Sequence, residues 1–156
     1  MKNIIEIRET LIESTRKEDY IKYQDFADKI NSGIILNENL DQIKVIGDIL
    51  SIVSIFEFVK RGVLLSGVVS TNGMPGNGFY KLMNNLDIKD PNKDKIWSMA
   101  EQIIKNKKFW KKDRNYRKYK DDLKGLEQLE IMIKNKVIDI TKDITPHFRL
   151  IKSLTK

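Results

Sequence analysis

At 156 residues, with 40% hydrophobic and 33% charged residues, the chain has the make-up of one globular domain with a lean core and long polar helix faces. The absence of cysteine excludes disulfides, thiolate metal sites and cysteine nucleophiles, and it fits a reducing compartment. The net charge of +7 is unevenly spread: nine basic residues stand against one acid, Asp113, between Lys105 and Lys120, while the remainder is balanced at −1.

A near-neutral body with one strongly basic segment favours an anionic partner, whether nucleic acid, an acidic protein or a membrane surface. The opening M-K-N-I-I-E-I-R-E carries glutamates inside its apolar stretch and does not read as a signal peptide. The weakly polar run Val45 to Val59 is interrupted by Asp48 and Glu57 and is too short to span a bilayer. No membrane span and a cytoplasmic location are expected.

Along the chain, Ile4, Ile5, Ile7, Leu11 and Ile12 form one face of an opening helix. A second helix begins at Asp19 or Tyr20, with Tyr23, Phe26, Ala27 and Ile30 on one stripe, and Asn31 to Gly33 stops it. From Leu40 to Val59 apolar residues recur every three or four positions, and Ile49, Ile52 and Ile55 widen the stripe, which predicts a helix central to the core. Arg61-Gly62 marks a turn. The β-branched run V-L-L-S-G-V-V-S-T then predicts a buried strand, with Ile34 to Leu36 as a partner.

After the glycine-rich N-G-M-P-G-N-G-F, the segment F-Y-K-L-M-N-N-L predicts a short helix. Asp90-Pro91 suits a helix N-cap and first position. Ile96, Trp97, Ala100, Ile103 and Ile104 give a stripe that runs on through the basic segment to near Gly125. A long helix carrying Leu126, Leu129, Met132, Ile133, Val137 and Ile138 follows, and Thr145-Pro146 starts a short terminal one. The fold class is therefore mainly α with a small β element (α+β). The chain reads as a single domain, 1–156, with Leu86 to Asn92 as the boundary if it divides into an α/β core (1–88) and a helical extension (89–156).

Two features could carry function. The first is K-N-K-K-F-W-K-K-D-R-N-Y-R-K-Y-K, in which Lys107, Lys108, Lys111, Lys112, Arg114, Arg117 and Lys118 could neutralise phosphates and Trp110 and Tyr116 could stack on bases. The bland alternative is a solvated helix face with Phe109 and Trp110 as core anchors. The second is the loop Asn72, Gly73, Gly76, Asn77, Gly78 and Tyr80, whose glycines permit positive torsions and close approach of a ligand. It lacks the G-K-[ST] of a phosphate loop, and G-x-x-G-x-G does not match the dinucleotide fingerprint. Serines 66 and 70 have no nucleophile-elbow context, the lone His147 lies beside Phe148, and paired acids such as Asp121 and Asp122 read as solvated faces. No catalytic residue, cofactor or metal site is assigned.

The stretch G-V-L-L-S-G-V-V-S-T-N-G-M-P-G-N-G-F-Y resembles a motif of short bacterial and phage proteins, in which an L-L-S-x-V-V strand precedes a G-x-P-G-x-G-F turn; it implies no particular chemistry. More broadly, K-Y-Q-D-F-A-D-K-I-N, I-G-D-I-L and L-L-S-G-V-V-S-T-N-G resemble the winged-helix C-terminal domain of DNA alkyltransferases and alkyltransferase-like proteins. Tyr23 and Ala27 fall on that family's helix motif, and Val68, Val69 and Gly73 on its later segment. Leu65, Ser66 and Gly67 stand where Cys-His-Arg would be, so the resemblance implies a winged-helix-like N-terminal half followed by long helices, without alkyl transfer. Three readings follow: a non-enzymatic nucleic-acid binder using the basic helix; an interaction module, such as a mobile-element inhibitor or regulator, on an acidic protein partner; and a small-ligand or enzymatic role at the glycine loop.

Overall fold

The computed structural model describes residues 1–37, 40–71, 73–88 and 90–156. In chain order it comprises α1 (Ile4–Lys17), β1 (Ile21–Lys22), α2 (Tyr23–Lys29), α3 (Leu40–Arg61), a 3-10 turn (Leu65–Val68), β2 (Val69–Ser70), α4 (Asn77–Asn85), α5 (Lys95–Lys111), α6 (Asp113–Tyr119), α7 (Leu126–Lys134), a second 3-10 turn (Thr145–His147) and α8 (Phe148–Leu154). The fold is mainly α with a small β element.

Asn3 opens α1 by accepting a hydrogen bond from the Glu6 N–H, one of the donors a helix start leaves unsatisfied. α1 then buries Ile4, Ile7, Leu11 and Ile12. α3 is buried through most of its second half, with Ile52, Val53, Ile55 and Phe56 fully enclosed, which makes it the central helix that its wide stripe predicts. α1, the first 3-10 turn and α8 pack on it. One apolar cluster draws on residues from Ile4 to Ile151, on both sides of the 86–92 segment.

The β element departs from expectation. V-L-L-S-G-V-V-S is buried throughout, but only Val69 and Ser70 are strand. Residues 65–68 turn as a 3-10 helix because Ser54 on α3 takes the Ser66 N–H (2.9 Å) and Gly67 N–H bonds the Leu64 carbonyl (3.0 Å). The strand's partner is Ile21–Lys22, in parallel, rather than Ile34 to Leu36. Backbone groups of the latter are taken by the Gln24 side chain, which donates to Ile34 O (2.9 Å) and accepts from Leu36 N (3.0 Å). This pairing also delays the second helix to Tyr23. Among the described residues, antiparallel pairing is limited to the isolated Thr71–Met74 bridge.

In the second half the cap is Asp94, which accepts from Trp97 N (2.7 Å), while Asp90 holds Asn92 N (2.9 Å) in the preceding turn. The continuous helix expected up to Gly125 breaks at Lys112, whose ψ of 118° is extended. Its buried residues also differ: Met99, Asn106 and Trp110 point inward, and Ile96, Trp97 and Ile104 outward. Gly125 (φ 93°) begins α7, and a Cβ there would collide with the Leu154 carbonyl. α7 stops at Lys134, short of Val137 and Ile138. Thr145 does not cap the terminal helix: Ile144 precedes a 3-10 turn that starts at Thr145, with Asp143 accepting from Thr145 N (3.0 Å), and the α-helix begins at Phe148.

A buried ion network ties these parts together. Arg8 of α1 donates through Nε to Glu57 of α3, and through Nη1 and Nη2 to the carbonyls of Lys120 (2.7 Å) and Tyr119 (2.8 Å). Arg61 Nη1 lies 3.1 Å from the other Glu57 oxygen, a charge contact without hydrogen-bond alignment, and Nη2 donates to Asp122 (2.8 Å). The Phe56 ring faces both guanidiniums, at 5.6 and 5.7 Å. Burial pushes the Glu57 carboxyl up from its ordinary value, and the two arginines oppose that rise. Removing the shared anion leaves buried Arg8 with no counter-charge and Arg61 with Asp122 alone. Glu57→Gln is therefore expected to lose about 3–5 kcal/mol in urea unfolding, and a loss below about 1 kcal/mol would show the network to be dispensable.

Candidate functional site

The basic segment is held to the body by its aromatic residues and by α1. Trp110 is 0% exposed: its ring lies edge-on to Phe109 at 5.0 Å and beneath Arg8 at 5.6 Å. Its carbonyl accepts from Arg16 (2.6 Å), which also donates to Asp113 (2.7 Å) and covers the Tyr116 ring at 4.1 Å. The Tyr116 hydroxyl donates to Glu13 (2.6 Å), and Phe109 stacks on Tyr119 at 5.7 Å. Trp110 therefore has no surface on which a base could stack, and its nomination as a stacking residue is corrected by its burial. Tyr116 is half-buried, with one hydroxyl and one ring face already engaged.

The same anchoring turns the cations outward. At 3.6 residues per turn, Arg114 and Lys118 lie opposite Tyr116 on α6, with Arg117 beside them. On α5, Lys105, Lys108 and the break residue Lys112 lie opposite Trp110, with Lys111 alongside. Lys108, Lys111, Lys112, Arg114, Arg117 and Lys118 are all exposed. Among the described residues, none of these six has a carboxylate within ion-pair distance, whereas Lys44, Lys60, Arg61 and Lys93 elsewhere do. Lys107 stands apart: it is half-buried and 3.9 Å from Asp19.

Trp97 belongs to the apolar stripe of α5 that the sequence marks, yet that stripe is not the buried one. Trp97 is 60% exposed on the outer side of α5, the same side as Lys105 and Lys108, with Ile104 between them at 52%. Arg16, which positions both α5 and α6, was not nominated either. Neither carries a local signal, because the first depends on which side of α5 is buried and the second on a contact across 97 residues.

The glycine loop splits into two parts. Thr71 and Met74 exchange backbone hydrogen bonds (2.8 and 3.1 Å) around Gly73, whose φ of 86° suits a tight turn; Asn72 lies outside the described residues. Tyr80 is half-buried, with Lys95 Nζ 5.1 Å from its ring centre. Gly76, Asn77 and Gly78, by contrast, line a cleft of about 590 Å³ between α3, α4 and the Thr145–His147 turn. Gly76 N donates to the Tyr23 hydroxyl (3.0 Å), and Asn77 Oδ1 accepts from Lys95 (2.5 Å). Ser66 also lines the cleft, paired with Ser54 at 2.6 Å rather than with a base.

No protein-family model, no curated protein and no solved structure matches this chain.

The α1–α6 contact has a pH signature. The Tyr116 hydroxyl chiefly holds the Glu13 carboxyl below its ordinary 4.5, and Arg16 holds Asp113 below 3.8. The folded chain thus binds fewer protons at these groups than the unfolded one, so their contribution to stability is complete above 4.5 and drains away as pH falls through the lowered values. Tyr116→Phe is expected to flatten the acid limb of a urea-midpoint series below pH 4.5. An unchanged limb would mean that Glu13 does not sense the phenol.

Proposed function

We propose that this protein is a non-enzymatic polyanion-binding protein whose partner is nucleic acid, bound on the outer side of α5 and α6. The observation that carries the reading is the row of six exposed cations with no acidic partner among the described residues, in a chain that is otherwise close to neutral. Exposed cations left unneutralised repel one another, and phosphates relieve that repulsion with release of counterions. The row sits on a scaffold fixed by Arg8, Arg16 and Tyr116, so little ordering is left to be done on binding. In this reading the aromatic available to a base is Trp97 rather than Trp110.

A second reading has one observation in its favour. Trp97, Ile104 and the neighbouring Ile96 form an exposed apolar group beside the cations, which suits an acidic protein partner with an apolar anchor. Fluorescence anisotropy with double-stranded DNA, single-stranded DNA and RNA at two salt concentrations separates the two. With six phosphates neutralised, affinity is expected to fall about a thousandfold between roughly 50 and 200 mM salt. The double variant Lys111→Glu, Lys112→Glu is expected to bind at least about tenfold more weakly with an unchanged melting temperature. Retained affinity in that variant sinks the proposal, and failure of all three nucleic acids to bind at low salt directs the search to the acidic protein.

A further inference from the structure

α3 carries a glycine in its interior, Gly47, at a place where glycine has no packing duty. It is exposed, its φ is not positive, and a Cβ built there meets nothing within 4 Å. Glycine weakens a helix interior relative to any residue but proline, so a glycine with no close neighbour is unexplained by the helix itself. Gly47 lines the cleft described above, and so does Gly78 in the first turn of α4, where a Cβ likewise meets nothing. Two helices thus present bare backbone to the same hollow. Side chains at these two positions would fill it.

The hollow has the dimensions and lining of a small-molecule site. Its volume of about 590 Å³ falls in the range that encloses drug-sized ligands. The apolar wall is supplied by Ile46, Leu50, Phe79, Leu82, Ile144 and Phe148. Charges at the cleft are balanced, with Lys44 bound to Asp48 at 2.6 Å and Lys81 facing the field of Asp143, so a net charge on the ligand is not selected.

Two hydroxyl donors in the lining lack acceptors among the described residues. Tyr23 accepts from Gly76 N but its own proton has no acceptor, and burial raises its pKa so that the proton stays in place. Of the two hydroxyl protons of Ser54 and Ser66, one lies between their oxygens, and the other has no acceptor. Ser66 is 95% enclosed, and a donor so placed is costly to leave unpaired.

We propose that this cleft binds a small, mainly apolar molecule carrying a hydrogen-bond acceptor such as a carbonyl, seated between Gly47 and Gly78 with its acceptor on the Ser66 and Tyr23 hydroxyls. The site is separate from the basic side of α5 and α6 and does not depend on nucleic-acid binding there.

The probe is prodan, a neutral naphthalene ketone whose emission moves to the blue in an apolar site. Titrated into the full chain, it is expected to bind saturably at one site. Gly47→Phe should weaken that binding at least tenfold while leaving the melting temperature equal or higher and leaving any oligonucleotide binding untouched. Ser66→Ala should weaken it about threefold to tenfold, the value of one hydrogen bond. If Gly47→Phe fails to fold, Gly78→Leu on the opposite helix decides in its place. Absence of saturable prodan binding by the parent protein, or binding undiminished by a folded glycine variant, overturns the proposal.

Discussion

The charge cluster around Glu57 is the constraint on which the rest of the structure depends. One carboxylate on the central helix is shared by Arg8 from α1 and Arg61 from its own last turn; Arg8 donates through Nη1 and Nη2 to the Lys120 and Tyr119 carbonyls, and Arg61 through Nη2 to Asp122. Ions taken out of water are stabilising only when every partner is present. The cluster therefore does what an apolar contact cannot: it fixes the register between α1, α3 and the α6 exit at once. Without it the basic segment would rest on the body through Arg16, Tyr116 and the buried Trp110.

The elements legible in the sequence were those settled by local rules. α1 and α3 follow from the spacing of their isoleucines, and the stop after α2 from Asn31 and Gly33, which have φ of 56° and 69°. What was not legible depended on distant partners. The strand pairs with Ile21, while the Gln24 amide satisfies Ile34 and Leu36. The start of α5 expected at Asp90 lies four positions on, where Asp94 is the cap. The inner side of α5 misled because it is poor in aliphatics: Asn106 and Trp110 are buried, while the more apolar Ile96 and Ile104 face out. Periodicity cannot choose between two stripes when the better one is polar.

The candidate site was legible in the same uneven way. A run of one-sign charge is a property of the chain itself, so the exposed cations could be named from the sequence. Which aromatics accompany them is decided by burial, and there Trp110 and Trp97 exchange places. The glycines of 76–78 stood out as a cluster, but Gly47 did not, because its partner surfaces come from α4 and the last turns, far along the chain.

The hold of Arg8 on the Tyr119 and Lys120 carbonyls bears on the order in which the chain assembles. α6 is seven residues long and places Arg114, Arg117 and Lys118 three and four apart, so alone it is both too short to nucleate and self-repelling. Besides the Phe109 stack on Tyr119, it is held by Arg8, Glu13 and Arg16 of α1, and the Arg8 contacts span 111 and 112 residues. Loop closure over that span must precede the helix it supports. The α6 part of the cationic surface thus depends on contacts closed over more than a hundred residues, whereas Lys108 and Lys111 stand on the longer α5.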